Sequence, residues 1–156
     1  MKNLIAFLFT LSLSATASEY PDDPSKLLEQ IVTCKISHLD LKESTIAQRK
    51  LENLFTNILI KDDKKRAYIP NQKLKVFGFD VVKALPSFGM NPGFMVELES
   101  SMGDLKSAVE DASNIVLDEC DSTMKKCGKK LSKTDFVAVL EDGDSVFLGC
   151  KHPYRR

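Results

Sequence analysis

The chain has 156 residues with 22 basic and 22 acidic side chains, 43% hydrophobic and 8% aromatic residues, and four cysteines, which fits one globular domain. Balanced charge argues against a nucleic-acid partner, whose footprint is a basic excess, and the composition excludes disordered, collagen-like and coiled-coil classes. No motif identifies a reaction or a ligand.

Residues 1–17 place Lys2 before an apolar run of about ten residues and end in Ala15-Thr16-Ala17, the pattern of a secretory signal peptide. A transmembrane helix needs roughly 20 apolar residues, about twice this run. Ser18 rather than a cysteine follows the expected cut, so no lipoprotein-type anchor is expected. Cleavage removes one lysine and no acidic residue, leaving 21 basic against 22 acidic side chains. No Asn-x-Ser/Thr acceptor occurs, and the short leader suits a bacterial periplasm. Residues 18–156 are expected to form a single globular α+β domain, periplasmic or secreted, and not membrane-embedded after signal cleavage.

In an oxidising compartment four cysteines favour a disulfide framework with three possible connectivities. The six-residue, mostly polar stretch between Cys120 and Cys127 can turn back on itself, which favours a local bridge and leaves Cys34 to pair with Cys150. By the chain-entropy argument the long closure stabilises by about 4–5 kcal/mol and the short one by about 2–3 kcal/mol. A Cys2His2 zinc cluster of Cys34, His38, Cys150 and His152 is the weaker alternative, because the spacing is irregular. No metal site or cofactor is expected.

Asp23 before Pro24 marks a helix start, with Leu27, Leu28 and Ile31 on one stripe and an end near Thr33 that delivers Cys34 to the buried side. A second helix is expected from Leu41, with Asp40 and Glu43 as a capping box and Ala47, Leu51, Leu54, Phe55 and Ile58 as its apolar stripe. The charged run 61–66 reads as a solvated loop. Leu74, Val76, Phe77, Phe79 and Val81 predict a strand that bends or bulges at Gly78. Phe94, Val96 and Leu98 alternate with polar positions as a half-buried strand.

Ser101 to Asp104 opens a third helix, with Leu105, Ala108, Val109 and Ala112 inward and Asn114 at its end. Asp142-Gly143 predicts a two-residue hairpin turn, pairing Val139 with Val146, Val137 with Leu148 and Asp135 with Cys150. Phe136, Ala138, Leu140 and Phe147 fall on the opposite face, so this ribbon is expected to be covered on both sides. The expected architecture is a disulfide-stabilised α+β fold. Two N-terminal helices and one internal helix pack on an antiparallel sheet of four to five strands.

No serine-hydrolase, phosphate-binding or metalloprotease motif occurs, and no catalytic residue is assigned. His38 and His152 read as exposed bystanders, and Glu97, Glu99, Asp142 and Asp144 as surface charge. Two features suit binding instead. Phe88 and Met90 sit among turn formers in the loop 86–93, as partner anchors or as side chains folded back over the core; Phe94, opening the next strand, completes this set. Lys125, Lys126, Lys129, Lys130 and Lys133 form a basic cluster for an acidic protein, anionic lipid or envelope polymer, or a solvated strand edge.

The order Pro70, Val76-Phe77-Gly78, Pro92-Gly93-Phe94, an internal helix, Cys120, Cys127 and Gly149-Cys150 resembles small exported proteins of Gram-negative bacteria with no assigned activity. The resemblance covers most of the mature chain, departs at His152 and Tyr154 where a denser aromatic ending is expected, and implies compartment and disulfides alone. The expected function is a non-enzymatic module that binds another envelope or secreted protein, of the inhibitor or immunity type. A binder of a small ligand or anionic polymer, and a hydrolase whose site is assembled in three dimensions, are the alternatives.

Overall fold

The computed structural model describes residues 20–36, 44–87 and 93–151. The signal segment, His38, the Asp40–Glu43 box, Phe88, Met90, His152 and Tyr154 lie outside the described residues.

Helix α1 (Pro24–Val32) starts where the sequence places it: the Asp23 carboxylate accepts the Ser25 N–H at 2.9 Å, and Pro24 occupies the first turn, where no donor is needed. Leu27, Leu28, Ile31 and Val32 point into the core. Thr33 closes the helix, and Cys34 turns with φ 58°.

Helix α2 spans Thr45–Asn53, not a start at Leu41. Ser44 has extended backbone, and its hydroxyl accepts the Ala47 N–H at 3.2 Å, so the capping side chain is Ser44. Its last turn widens into a π-type turn at Leu54–Ile58 and passes directly into β1. The expected stripe holds, with Ala47, Leu54 and Ile58 buried and Leu51 and Phe55 packed against the core.

Strands β1 (Leu59–Asp62) and β2 (Ala67–Pro70) form a hairpin where a loop was expected. The Asp62 carboxylate accepts the N–H groups of Lys64 and Lys65 at 3.1 and 3.2 Å, and Arg66 turns the chain with φ 51°. The bend expected at Gly78 is a complete reversal: β3 (Lys75–Val76) and β4 (Phe79–Ser87) pair across Phe77 and Gly78, with φ 50° and 86°. Glu29 of α1 holds this turn by accepting the Phe77 N–H at 2.8 Å while pairing with Lys26. A bulge at Val82 then leaves that side chain 44% exposed.

Strand β5 (Gly93–Leu98) alternates as predicted. Helix α3 (Met102–Ser113) is capped by Ser101, which accepts the Asp104 N–H at 3.1 Å, and ends on left-handed Asn114. Its Leu105 and Val109 are buried, whereas Ala108 is half-buried and Ala112 exposed. Strands β6 (Glu119–Asp121), β7 (Lys126–Lys130), β8 (Phe136–Asp142) and β9 (Ser145–Lys151) complete the sheet.

The β8–β9 turn falls one residue later than predicted, on Gly143 and Asp144. Val139 therefore opposes Leu148, and Val137 opposes Cys150. Gly143 alone of the two has positive φ, 61°, which places glycine at the first central position of a II′-type turn. Each partner moves by two residues, so every side chain keeps its face.

The described residues thus form an α+β fold with three α-helices and one antiparallel sheet of nine strands, larger than the four to five expected. Its order is β1-β2-β4-β5-β9-β8-β7-β6, with β3 added on β4. Buried side chains of all three helices meet Phe94, Val96, Val137, Val139, Leu148 and Cys150 in one core. Strand alternation then assigns Met95, Ala138, Leu140, Phe147 and Gly149 to the other face.

Two disulfides join Cys34 to Cys150 and Cys120 to Cys127. The first fastens the end of α1 to the penultimate position of β9 inside the core. The second links directly opposed residues of β6 and β7, with Cα atoms 4.0 Å apart. The first bridge uses up the two thiolates that the Cys2His2 alternative at Cys34 and Cys150 needs.

Candidate functional site

The sheet face turned away from the helices carries an open groove of about 370 Å³. Its floor is Met95, Ala138, Leu140 and Gly149, and Met124 stands at one side, 60% exposed. Gly149 keeps the floor low: a Cβ there would fall 2.5 Å from Met95 Cγ and 2.9 Å from the Phe94 carbonyl oxygen. Lys126, Lys151, Glu141 and Asp142 bring both signs of charge to the groove. An apolar floor with a mixed-charge border combines a desolvating centre with groups that fix orientation.

Farther along the same face the surface closes. Lys83 pairs with Glu97 across β4 and β5 at 2.5 Å, Glu97 also accepts from the Ser145 hydroxyl at 2.9 Å, and the Lys83 ammonium lies 5.9 Å from the centre of the Phe147 ring. Phe147 and Ala138 are buried, while Phe136 and Leu140 are half-buried, so this face is covered in part by its own side chains. Glu97 is a half-buried cross-strand partner rather than free surface charge. Glu99, Asp142 and Asp144 are exposed.

The five lysines do not form one positive field. Lys125 hydrogen-bonds Glu141, and that bond, reinforced by charge, holds its ammonium above the ordinary lysine range. Lys129 is held likewise by Asp118 at 2.8 Å, and the same bond lowers the Asp118 carboxyl. Lys126 lies over the Phe136 ring, 4.5 Å from its centre. Lys130 ends β7, and its backbone N–H donates to Glu119; Lys133 is exposed in the following turn.

Phe94 is a correction to the anchor set. It is 8% exposed and meets Phe55 edge-on at 5.3 Å, because alternation in β5 sends it to the core with Val96 and Leu98. Phe88 and Met90 belong to the connection between Ser87 and Gly93, which are paired at the Lys151 end of the sheet. The groove itself was not anticipated. Its signal was present in the apolar second face of the last hairpin, which the sequence reading assigned to a covering layer.

A smaller cleft of about 150 Å³ lies beside α2, where Lys50 bonds the Tyr20 carbonyl and pairs with Asp22 at 2.8 Å. This contact ties the N-terminal segment to α2. No group of three or more metal-ligating side chains occurs among the described residues, and none of their helices is long and apolar enough to cross a membrane. No protein-family model, curated protein or solved structure matches this chain.

Proposed function

We propose that the protein is an exported module, periplasmic or secreted, that acts by binding another envelope or secreted protein, of the inhibitor or immunity type. The groove on the helix-free sheet face carries this reading, because it joins an exposed Met124 and an apolar floor to charges of both signs. The two disulfides suit an oxidising compartment. The leader-like residues 1–17 add to that. Phe88 and Met90 are kept as candidate contacts, since the strand that follows them, β5, lines the groove through Met95.

The test is capture of envelope proteins by the oxidised protein at low and high salt, beside Leu140→Lys and the pair Phe88→Ala and Met90→Ala. One protein retained at both salts and lost with Leu140→Lys, while circular dichroism stays unchanged, supports the groove. Equal capture by Leu140→Lys removes it.

A small-ligand reading is second, favoured by a volume within the roughly 300–1,000 Å³ of ligand pockets. It predicts a thermal shift with an apolar small molecule and no retained protein. Polymer binding through the lysines has less support, since Lys125 and Lys129 are engaged by carboxylates.

A further inference from the structure

The two bridges differ in what an attacking thiolate can reach. Cys34 and Cys150 are 8% and 0% exposed, within the core that α1 shares with β5 and β9. Cys120 lies on β6, whose three residues are all exposed, whereas its partner Cys127 on β7 is 8% exposed and borders the core. Strand β6 has β7 on one side and no neighbour on the other among the described residues. Thiol–disulfide exchange needs access to one sulfur, so a bridge with one cysteine on an exposed edge strand reacts before one whose two cysteines both lie in the packed core.

We propose that the Cys120–Cys127 bridge is a thiol–disulfide exchange site that takes small thiols and dithiols as co-substrates. A thiolate attacks Sγ of Cys120, the protein S–S bond breaks, and Cys127 leaves as a thiolate that takes up a proton. A mixed disulfide remains on Cys120. A second thiolate attacks the external sulfur of that mixed disulfide, forms the external disulfide and releases Cys120 as a thiolate, which is then protonated. Two electrons pass from two thiols to the protein, and Cys120 and Cys127 end as thiols.

The sheet limits what this opening changes. Strand β6 is paired only at Glu119, Cys120 and Asp121, opposite Gly128, Cys127 and Lys126. The turn between these strands holds Met124, one side of the groove, so reduction loosens that side while the core bridge stays closed. This consequence for binding rests on the groove reading; the chemistry at Cys120 does not.

The experiment treats the oxidised full chain with graded dithiothreitol or, separately, reduced glutathione, then acid quench, alkylation and peptide mass spectrometry. Cys120 and Cys127 should be alkylated at about tenfold lower reductant than Cys34 and Cys150. The cooperative thermal transition should persist, and the glutathione arm should trap its mixed disulfide on Cys120. Opening by dithiothreitol but not glutathione keeps the site and assigns it to dithiols. Alkylation of Cys34 and Cys150 first or in parallel, or no alkylation until the chain is unfolded, overturns the proposal. Capture by the reduced protein separately tests the groove: selective reduction with unchanged capture leaves the exchange site standing and removes its link to binding.

Discussion

The sheet ends in two hairpins built with the same turn and secured by different physics. In both, an aspartate closes a four-residue connection and its carboxylate accepts two backbone N–H groups: Asp62 from Lys64 and Lys65, Asp121 from Thr123 and Met124. In both, the last turn residue has positive φ, 51° at Arg66 and 43° at Lys125. The β1–β2 hairpin then buries Leu59 and Ala67 and stacks Tyr68 edge-on against Phe55 at 4.9 Å. Strand β6 buries nothing, and a disulfide joins it to β7. A cross-link to Cys127, at the margin of the core, replaces apolar burial in a strand that has none.

The largest effect that separates the two edges is expected from Leu59→Ala. Leu59 is fully buried, so truncation costs about 2–5 kcal/mol and lowers the midpoint of urea unfolding for the whole domain. Paired Cys120→Ser and Cys127→Ser substitutions cost about 2–3 kcal/mol at most by the chain-entropy argument. Their effect should concentrate in β6, seen as faster amide exchange at Glu119–Asp121 with core amides still protected. Equal loss of protection throughout the core would end the distinction between the two edges.

The shared turn supplies a finer comparison. Asp62→Ala and Asp121→Ala each remove two backbone-to-carboxylate hydrogen bonds at a solvent-facing turn and should cost about 1 kcal/mol by chemical denaturation. With its bridge intact, the β6–β7 hairpin should keep its pairing in Asp121→Ala, whereas Asp62→Ala should raise amide exchange around residues 63–66. Matching exchange changes at both turns would show that the bridge does not compensate for the lost acceptor.

The smallest effect is expected from acid. Glu110 hydrogen-bonds Lys106 and accepts the Leu117 N–H, and Asp118 hydrogen-bonds Lys129; these contacts hold both carboxyls below their ordinary values of 4.5 and 3.8. Their stabilisation is therefore complete above the ordinary values and lost as pH falls through the lowered folded ones. Exchange at residues 114–121 should rise in that acid window before exchange in β1 and β2. Loss of β1 and β2 protection first would reverse the assignment.

Legibility in the sequence followed the range of the interactions. Asp23 with Pro24, Ser101 with Asp104, and Asn114 mark helix ends through atoms within four residues of one another, and the structure places those ends as read. Alternation in Phe94, Val96 and Leu98 fixes a face without a partner strand being known. The β1–β2 hairpin was missed because charge in the run 61–66 outweighed the Asp62 turn signal and the flanking residues Leu59, Ile60, Tyr68 and Ile69. Asp142-Gly143 announced a hairpin, but either alignment around Gly143 kept the apolar residues on one face, so pattern alone could not separate them.

By itself the sequence determined the caps of α1 and α3, the strand faces and a preferred cysteine pairing, because each follows from neighbouring residues or from polarity along one segment. Tertiary structure decided the strand order, the size of the sheet and the burial of both cysteines of one bridge beside the exposure of Cys120 in the other. It also decided the groove, whose floor joins Met95 to Ala138, Leu140 and Gly149 through pairing between separate strands. Those features depend on which distant segments meet, and packing of the apolar faces against a common core selects that arrangement.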